Sequence, residues 1–453
     1  MRLKFPFTLF MLLACLSEPT LSGKAPAPTL RVATFRCDVT PPPGDILLWT
    51  VPLTKVEEPL LAKGIVFEAG RERYVICSLD WCILANSSDR LFRRKLAAAA
   101  GTDASRVAMH TIHQHAAPYA DGDAHRLLER APSPPPHLSD KFLEDVTNRV
   151  ADALRQSLVQ LQPFDQVGTG MARVDRVGST RRIPGPDGKI IVRYSGGGKD
   201  PALAALPEGD IDPFIRTVTI ARGTQPLVRL HYYATHPQTH CCDGAASADI
   251  VGIARERLEQ HEKVFQIYFT GCGGDVTVGK YNDGTQVAWQ GLTDRLFAGM
   301  QASAAATKLA PVRSLNWRVE KLNFPRRYDP GYTVEDNRAR MNDVNADSGT
   351  RVYKGAMRVA FFERKSPVEI TSLHLGDVFI LHLPGEPMLE FQRFAQRARP
   401  DRFVAVAGYG DGGPAYLCPD NAYKEGGYEP TDSNVAPGSE ALLKEAIRRL
   451  LKD

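Results

Sequence analysis

The body of this 453-residue chain lacks a block of like charge, an apolar run of membrane-spanning length and any zinc-finger cysteine spacing. Each absence removes a class of function. With 56 Lys and Arg against 52 Asp and Glu, the net charge is only +4, and no basic stripe offers a footprint for nucleic acid. The cysteines beyond Cys15 are Cys37, Cys77, Cys82, Cys241, Cys242, Cys272 and Cys418, an odd set from which no disulfide framework follows. The adjacent Cys241 and Cys242 read as small buried apolar residues and are left outside the site. The glycines after Phe269 lack the Lys-Ser/Thr ending of a phosphate-binding loop, and they do not form a dinucleotide fingerprint. Neither an internal repeat nor a heptad pattern is visible.

At the N-terminus, Arg2 and Lys4 precede an apolar run from Phe5 to Leu16 that is too short to cross a bilayer as a helix, which is how an export signal reads. Leu12-Leu13-Ala14-Cys15 resembles a lipobox, in which Cys15 would become the lipidated first residue and associate with a membrane surface. An ordinary cleaved signal ending before Pro28 is the alternative. Residues 1–27 are therefore expected to be signal and linker, residues 28–453 a catalytic domain, and the product exported: periplasmic, secreted or lipid-anchored.

Beyond that point strands and helices alternate. Val-, Ile- and Phe-rich runs near 31–36, 63–69 and 73–79 predict strands, followed by a helix near 87–99. Ser139 and Asp140 offer an N-cap for a long amphipathic helix from about Lys141. Further strands are expected at 214–220, 227–233, 264–269, 315–322, 368–374 and 378–383, with helices at 248–261, 289–308 and 439–451. The stretch from Gly178 to Asp212, rich in Gly, Pro and charge, predicts a long surface loop able to close over a site. The alternation predicts an α/β fold with mixed sheets flanked by helices in a single large domain.

Five loops follow apolar strands, the runs from Val107 and from Phe403 included, and each carries polar residues that a structural loop would not need. The first holds His110, His113 and His115. If the strand stays extended, His113 and His115 share one face and His110 the other. His-x-His alone also describes a strand end with solvated histidines, so its weight depends on the other loops. The second places His236 just past a strand, with Pro237 rigidifying the turn. The third, Gly271-Cys272-Gly273-Gly274-Asp275-Val276-Thr277, offers Asp275 or Thr277 to orient a ligand, or a tight turn with an Asx cap. The fourth delivers Glu386 after a Pro-Gly turn at the start of a helix, where it would act as oxygen ligand or general base, or simply favour the helix dipole. The fifth, Gly408 to Pro419, carries Tyr409, Asp411 and Tyr416.

Taken in order, these loops resemble the catalytic domain of the neutral ceramidases, zinc-dependent amidases that cleave the N-acyl bond of ceramide. Cys37-Asp38-Val39-Thr40-Pro41-Pro42 resembles the family's Asp-Ile-Thr-Pro-Pro, and His113-Gln114-His115-Ala116-Ala117-Pro118 its His-Thr-His-Ser-Gly-Pro. Pro384-Gly385-Glu386 and His236-Pro237 match further segments, and Gly408 to Glu429 aligns without a gap, placing Tyr416, Tyr423 and Tyr428 on family tyrosines. The resemblance implies a Zn2+ site made by His113, His236, Glu386 and Tyr416, with His115 contacting substrate. Through the pair Thr180-Arg181 it implies Arg181 as a grip on the substrate's polar end. It departs from the family where Thr277 replaces a serine and where no room is left for a C-terminal β-sandwich domain.

The function so implied is an exported zinc amidohydrolase acting on a small-molecule or lipid-like amide through metal-activated water. In that reading Asp275 and Thr277 orient the water or donate to the oxyanion, while His115 and Arg181 stabilise charge or protonate the leaving nitrogen. A metal-dependent esterase or phosphoesterase with the same cage, and a surface binding protein that has lost turnover, are the rivals.

Overall fold

Three sheets with the same connectivity build the molecule, a repeat that the residues themselves do not disclose. The structure, a computed structural model, describes residues 29–453 and, before them, only residues 1, 3, 4 and 6; the signal and lipobox expectations, Cys15 included, lie outside the described residues. In the first sheet, Leu30–Asp38 pairs antiparallel with Leu61–Ala69, which forms a hairpin with Glu72–Leu79; the helix Asn86–Ala100 then crosses to Val107–Thr111, parallel to Glu72–Leu79. The second repeats this with Gln166–Arg173, Phe214–Arg222, Gln225–Tyr233, the helix Asp249–Glu262 and the parallel strand Phe265–Thr270. The third uses Leu315–Leu322, Val368–Leu375, Val378–His382, the helix Leu389–Ala398 and the parallel strand Phe403–Ala407. The unit is thus antiparallel, antiparallel, crossover, parallel, three times over. Loops of very different length and unrelated residues carry it, which is why no sequence period betrays it.

The units share one core. Ile65, Phe67 and Ile76 from the first sheet, Val218, Leu230 and Phe269 from the second, and Leu373, Ile380 and Ala405 from the third belong to a single buried apolar cluster. At roughly 25 cal/mol per Å² of apolar surface, this shared burial is what holds the sheets together. Helices cover the outside, as where Asp140–Ser157, capped by Ser139, packs on the first crossover helix. Among the described residues no helix is long and apolar enough to cross a membrane.

Polar contacts stitch the carboxyl ends of the parallel strands to one another. The Thr111 N–H donates to the Tyr409 carbonyl at 2.9 Å, the Gly408 N–H to the Thr270 carbonyl at 2.9 Å, and the Thr270 hydroxyl to the Ile112 carbonyl at 2.6 Å. Between the first two units, Arg255 grips Asp80 with two hydrogen bonds of 2.7 and 2.9 Å, both side chains being fully buried. Lys63, also inaccessible, adds bonds of 2.6 Å each to Glu256 and Glu259.

Two expectations need correction. Gly178 to Asp212 is only in part a surface loop: residues 184–192 and 198–211 carry no buried side chain, but the segment contains the short strands Ser179–Thr180, Arg182–Pro184 and Ile190–Val192 and the helix Pro201–Ala205, with Arg181, Arg193 and Ser195 buried. Its anchor is polar, since buried Arg193 donates to the carbonyls of Thr180 and Glu208 at 3.0 and 3.2 Å, so no apolar period marks it as interior. Cys241 and Cys242 are bonded to each other, and Cys242 is exposed rather than buried.

Removing one partner of a buried ion pair strands the other in a low dielectric. Asp80→Ala is therefore expected to cost about 3–5 kcal/mol of stability, read from the urea midpoint; a loss below about 1 kcal/mol would show that the pair does not lock the first two units.

Candidate metal centre

The carboxyl ends of the strands converge, the first two units each sending one donor and the third sending two to the point where they meet. His113 follows the last strand of the first unit, His236 the hairpin strand of the second, Glu386 the hairpin strand of the third, and Tyr416 that unit's last strand. The Nε2 atoms of His113 and His236 stand 3.1 Å apart, and each lies 3.1 Å from Glu386 Oε2. The Tyr416 hydroxyl is 3.3 Å from His236 Nε2. Four donors bound tetrahedrally at about 2.0–2.1 Å from a common cation would be separated by roughly 3.3–3.4 Å, close to these spacings.

Backbone carbonyls fix both imidazoles in the tautomer this requires. Nδ1 of His113 lies 2.8 Å from the Cys82 carbonyl and Nδ1 of His236 lies 2.6 Å from that of Gly273, so each Nδ1 donates and each Nε2 presents a lone pair inward. Two lone pairs and a carboxylate facing one another need a cation. Burial depresses an imidazole pKa, but at His113 the Glu386 carboxylate and Cys82 outweigh it and raise the value to about 10. At His236 burial, helped by the Arg181 charge, carries it down to about 4. Burial works to raise Glu386, yet His113 and His236 hold it well below the usual carboxylate range. The donors thus compete for a single positive charge, and a metal ion fits that demand. Cys82, His113 and His115 form a second grouping. There, however, His113 Nδ1 is already committed to the Cys82 carbonyl, and its free lone pair serves the Glu386 set.

Local backbone explains the aim. The strand Val107–Thr111 ends two residues before His113, which is left-handed with φ 65°, so the simple alternation expected for His113 and His115 does not operate. Their rings nonetheless meet edge to face, centroids 5.1 Å apart, while His110 turns away against Phe269 and His382. Gly385, with φ 60°, is where a Cβ would run into the Ala415 carbonyl oxygen, so the turn presenting Glu386 requires glycine. Glu386 itself lies in a two-residue parallel ladder with Tyr416, and the helix starts three residues later at Leu389, which corrects the expected helix-start position.

The remaining predicted residues surround these donors at different depths. His115 lines the pocket, and both its ring nitrogens are sealed from solvent without a partner; burial and the neighbouring histidines push its pKa well down, leaving it neutral. Arg181 is buried behind Tyr416, donating to its hydroxyl at 3.0 Å and to Glu429 at 3.0 Å, and does not line the pocket. Nor do Asp275 and Thr277. Asp275 accepts from the Leu389 N–H at 2.7 Å, with its pKa raised to about 6 by burial, and Thr277 shares a 2.6 Å hydrogen bond with Ser195 while its backbone bridges to His236. Sequence reasoning named Tyr409 in the fifth loop without giving it a role, and missed two further contributors. Tyr409 stacks on His113 at 4.3 Å, fully buried Glu429 pairs with Arg181 and Arg182, and the Cys82 carbonyl orients His113. The Gly408 to Glu429 segment held the first two; nothing local marked the third, because a carbonyl belongs to every residue.

No family model matches the sequence, and no curated protein matches it. Solved structures do match in fold. Neutral ceramidase from Pseudomonas aeruginosa superposes with a TM-score of 0.68 at 14% identity, covering 93% of this chain and 74% of that one. A ceramidase complexed with C2 gives 0.70 at 14% identity, covering 93% and 75%. The fold is therefore that of neutral ceramidase.

The geometry predicts that the purified chain binds one divalent cation, and that His113→Ala or Glu386→Ala lowers its affinity at least about 100-fold by calorimetric titration. Full stoichiometry and affinity in both variants would show that the donors do not act together.

Proposed function

We propose that this chain is a zinc-dependent hydrolase that cleaves an N-acyl amide, with His113, His236, Glu386 and Tyr416 as the ligands. The observation that carries this reading is the mutual 3.1 Å spacing of two outward-bonded imidazoles and one carboxylate, of which His113 and Glu386 line a pocket, within a fold shared with neutral ceramidases. Bound at these donors, Zn2+ would supply Lewis acidity and a water acidic enough to ionise near neutral pH. Linear amides, the ceramide type included, are the substrate class that reading favours.

The chain's own residues then divide the work. His115, neutral and unpartnered on the pocket wall, is placed to accept the proton that the attacking water gives up and then to pass it to the leaving nitrogen. Arg181 holds the Tyr416 hydroxyl at 3.0 Å, and its charge opposes the burial that raises that phenol's pKa, so it favours an ionised ligand. Asp275 and Thr277 act as positioning residues. The former ties the glycine turn to the helix behind Glu386, and the latter ties the His236 loop to the Arg181 segment. Export is proposed from Arg2, Lys4 and the apolar run after them, and the Cys241–Cys242 bond supports an oxidising compartment.

Treating the full chain with a chelator should abolish hydrolysis of N-acyl amides, and stoichiometric zinc should restore it. His115→Ala should retain the metal while losing roughly 10²–10⁴-fold in kcat. A chelated protein that keeps its rate, or a zinc-loaded protein inert towards amides but active on esters or phosphate esters, would overturn the amidase assignment.

A further inference from the structure

The pocket above the donors is apolar on one wall and carries a weakly paired positive charge on its rim. It measures about 90 Å³, whereas one water needs roughly 10–15 Å³, so it is shaped for a ligand group rather than a solvent molecule. Leu48, Trp49, Ile83, Tyr353 and Met357 supply its apolar side. Tyr353 is held rigidly: its hydroxyl accepts from the Trp49 N–H at 2.8 Å, and its ring lies 4.6 Å from that of Trp49 and 4.7 Å from that of Tyr119.

Tyr353 and Lys354 belong to a single wide turn, Val352–Ala356, set between the helices Ser348–Arg351 and Met357–Glu363. Such π-turns displace side chains from the helical register and recur at functional sites. Two cations and two carboxylates line the pocket: Lys354, Arg358, Glu386 and Asp432. Both carboxylates are committed. Glu386 faces the histidines, and Asp432 accepts from the buried Arg358 guanidinium at 3.0 Å, which donates also to the Thr431 carbonyl at 2.7 Å. Lys354 reaches Asp432 only at 4.0 Å, and its side chain stays 42% exposed at the pocket edge. With Asp432 already neutralised by a closer, buried guanidinium, and Asp347 within electrostatic reach but outside the pocket lining, that ammonium is only weakly paired on the pocket side.

We propose that Lys354 selects for substrates that carry an anionic group in addition to the scissile amide, such as N-acylated amino acids, with the acyl chain against the Trp49 and Tyr353 wall. This deepens, and rests on, the amide-hydrolase reading. The anion on the substrate completes the charge balance of the rim, and a neutral amide leaves it incomplete. Because Lys354 is partly exposed, the preference is moderate and screened by salt.

The test uses the zinc-loaded full chain and ketomethylene isosteres of N-decanoylglycine, N-decanoyltaurine and N-decanoylethanolamine, which present carboxylate, sulfonate and neutral hydroxyl ends but no bond to cleave. The anionic pair should bind about tenfold more tightly than the neutral isostere by calorimetry, with the ratio falling as salt rises. K354R should keep the preference, K354Q should erase it and K354E should reverse it. Equal affinities in the parent protein, or a preference that survives in K354Q, would overturn the proposal. A carboxylate preference without a sulfonate preference would also overturn it, since simple charge pairing does not distinguish them. Failure of the parent amides to be hydrolysed, with the binding preference intact, would count against the hydrolase reading and leave the role of Lys354 standing.

Discussion

Two imidazole lone pairs and a carboxylate oxygen, each 3.1 Å from the others in a buried pocket, form the contact around which this molecule is organised. With both imidazoles unprotonated and no metal ion bound, such a cluster is repulsive, so the surrounding structure has to fix it in place. The restraint comes from the Nδ1 hydrogen bonds to the Cys82 and Gly273 carbonyls, from left-handed backbone at His113, and from a glycine turn at Gly385. Left-handed non-glycine residues cost of order 1–3 kcal/mol each and persist only where the surroundings over-determine them. His113, Tyr409 and Ala415 all adopt that conformation beside the donors.

The surroundings that do so are three copies of one connectivity. Parallel strand pairs direct their carboxyl ends toward the loops that follow, and ligands in α/β sheets lie at those ends. With three such pairs facing inward, His113 and His236, 123 residues apart, and His236 and Glu386, 150 residues apart, are brought within hydrogen-bond reach. The buried Asp80–Arg255 pair and the Thr111, Thr270 and Gly408 bonds fix the units at the end nearest the donors, so the geometry of the site and the cohesion of the fold rest on the same contacts.

Much of this was legible in the residues. Strands such as Val378–His382 and the crossover helix Asp249–Glu262 announce themselves through apolar runs and helical periodicity, and the polar residues just past them marked His113, His236 and Glu386 as worth examining. The threefold topology was not legible, because connectivity leaves no period when the joining loops differ in length. The Arg181 and Arg193 segment was misread as surface because its interior is satisfied by carbonyls and Glu429 rather than by apolar packing. The pocket wall around Tyr353 and Met357 was missed too: it lies on short helices broken by a wide turn, preceded by the largely polar helix Val334–Asn342.

X-ray absorption at the zinc edge of the metal-loaded full chain bears most directly on the central claim, since it reports donor identity and distance. The account predicts nitrogen and oxygen scatterers alone at about 2.0–2.1 Å, with the outer-shell pattern of two imidazoles. A sulfur scatterer near about 2.3 Å would place Cys82 rather than Glu386 on the metal and contradict it.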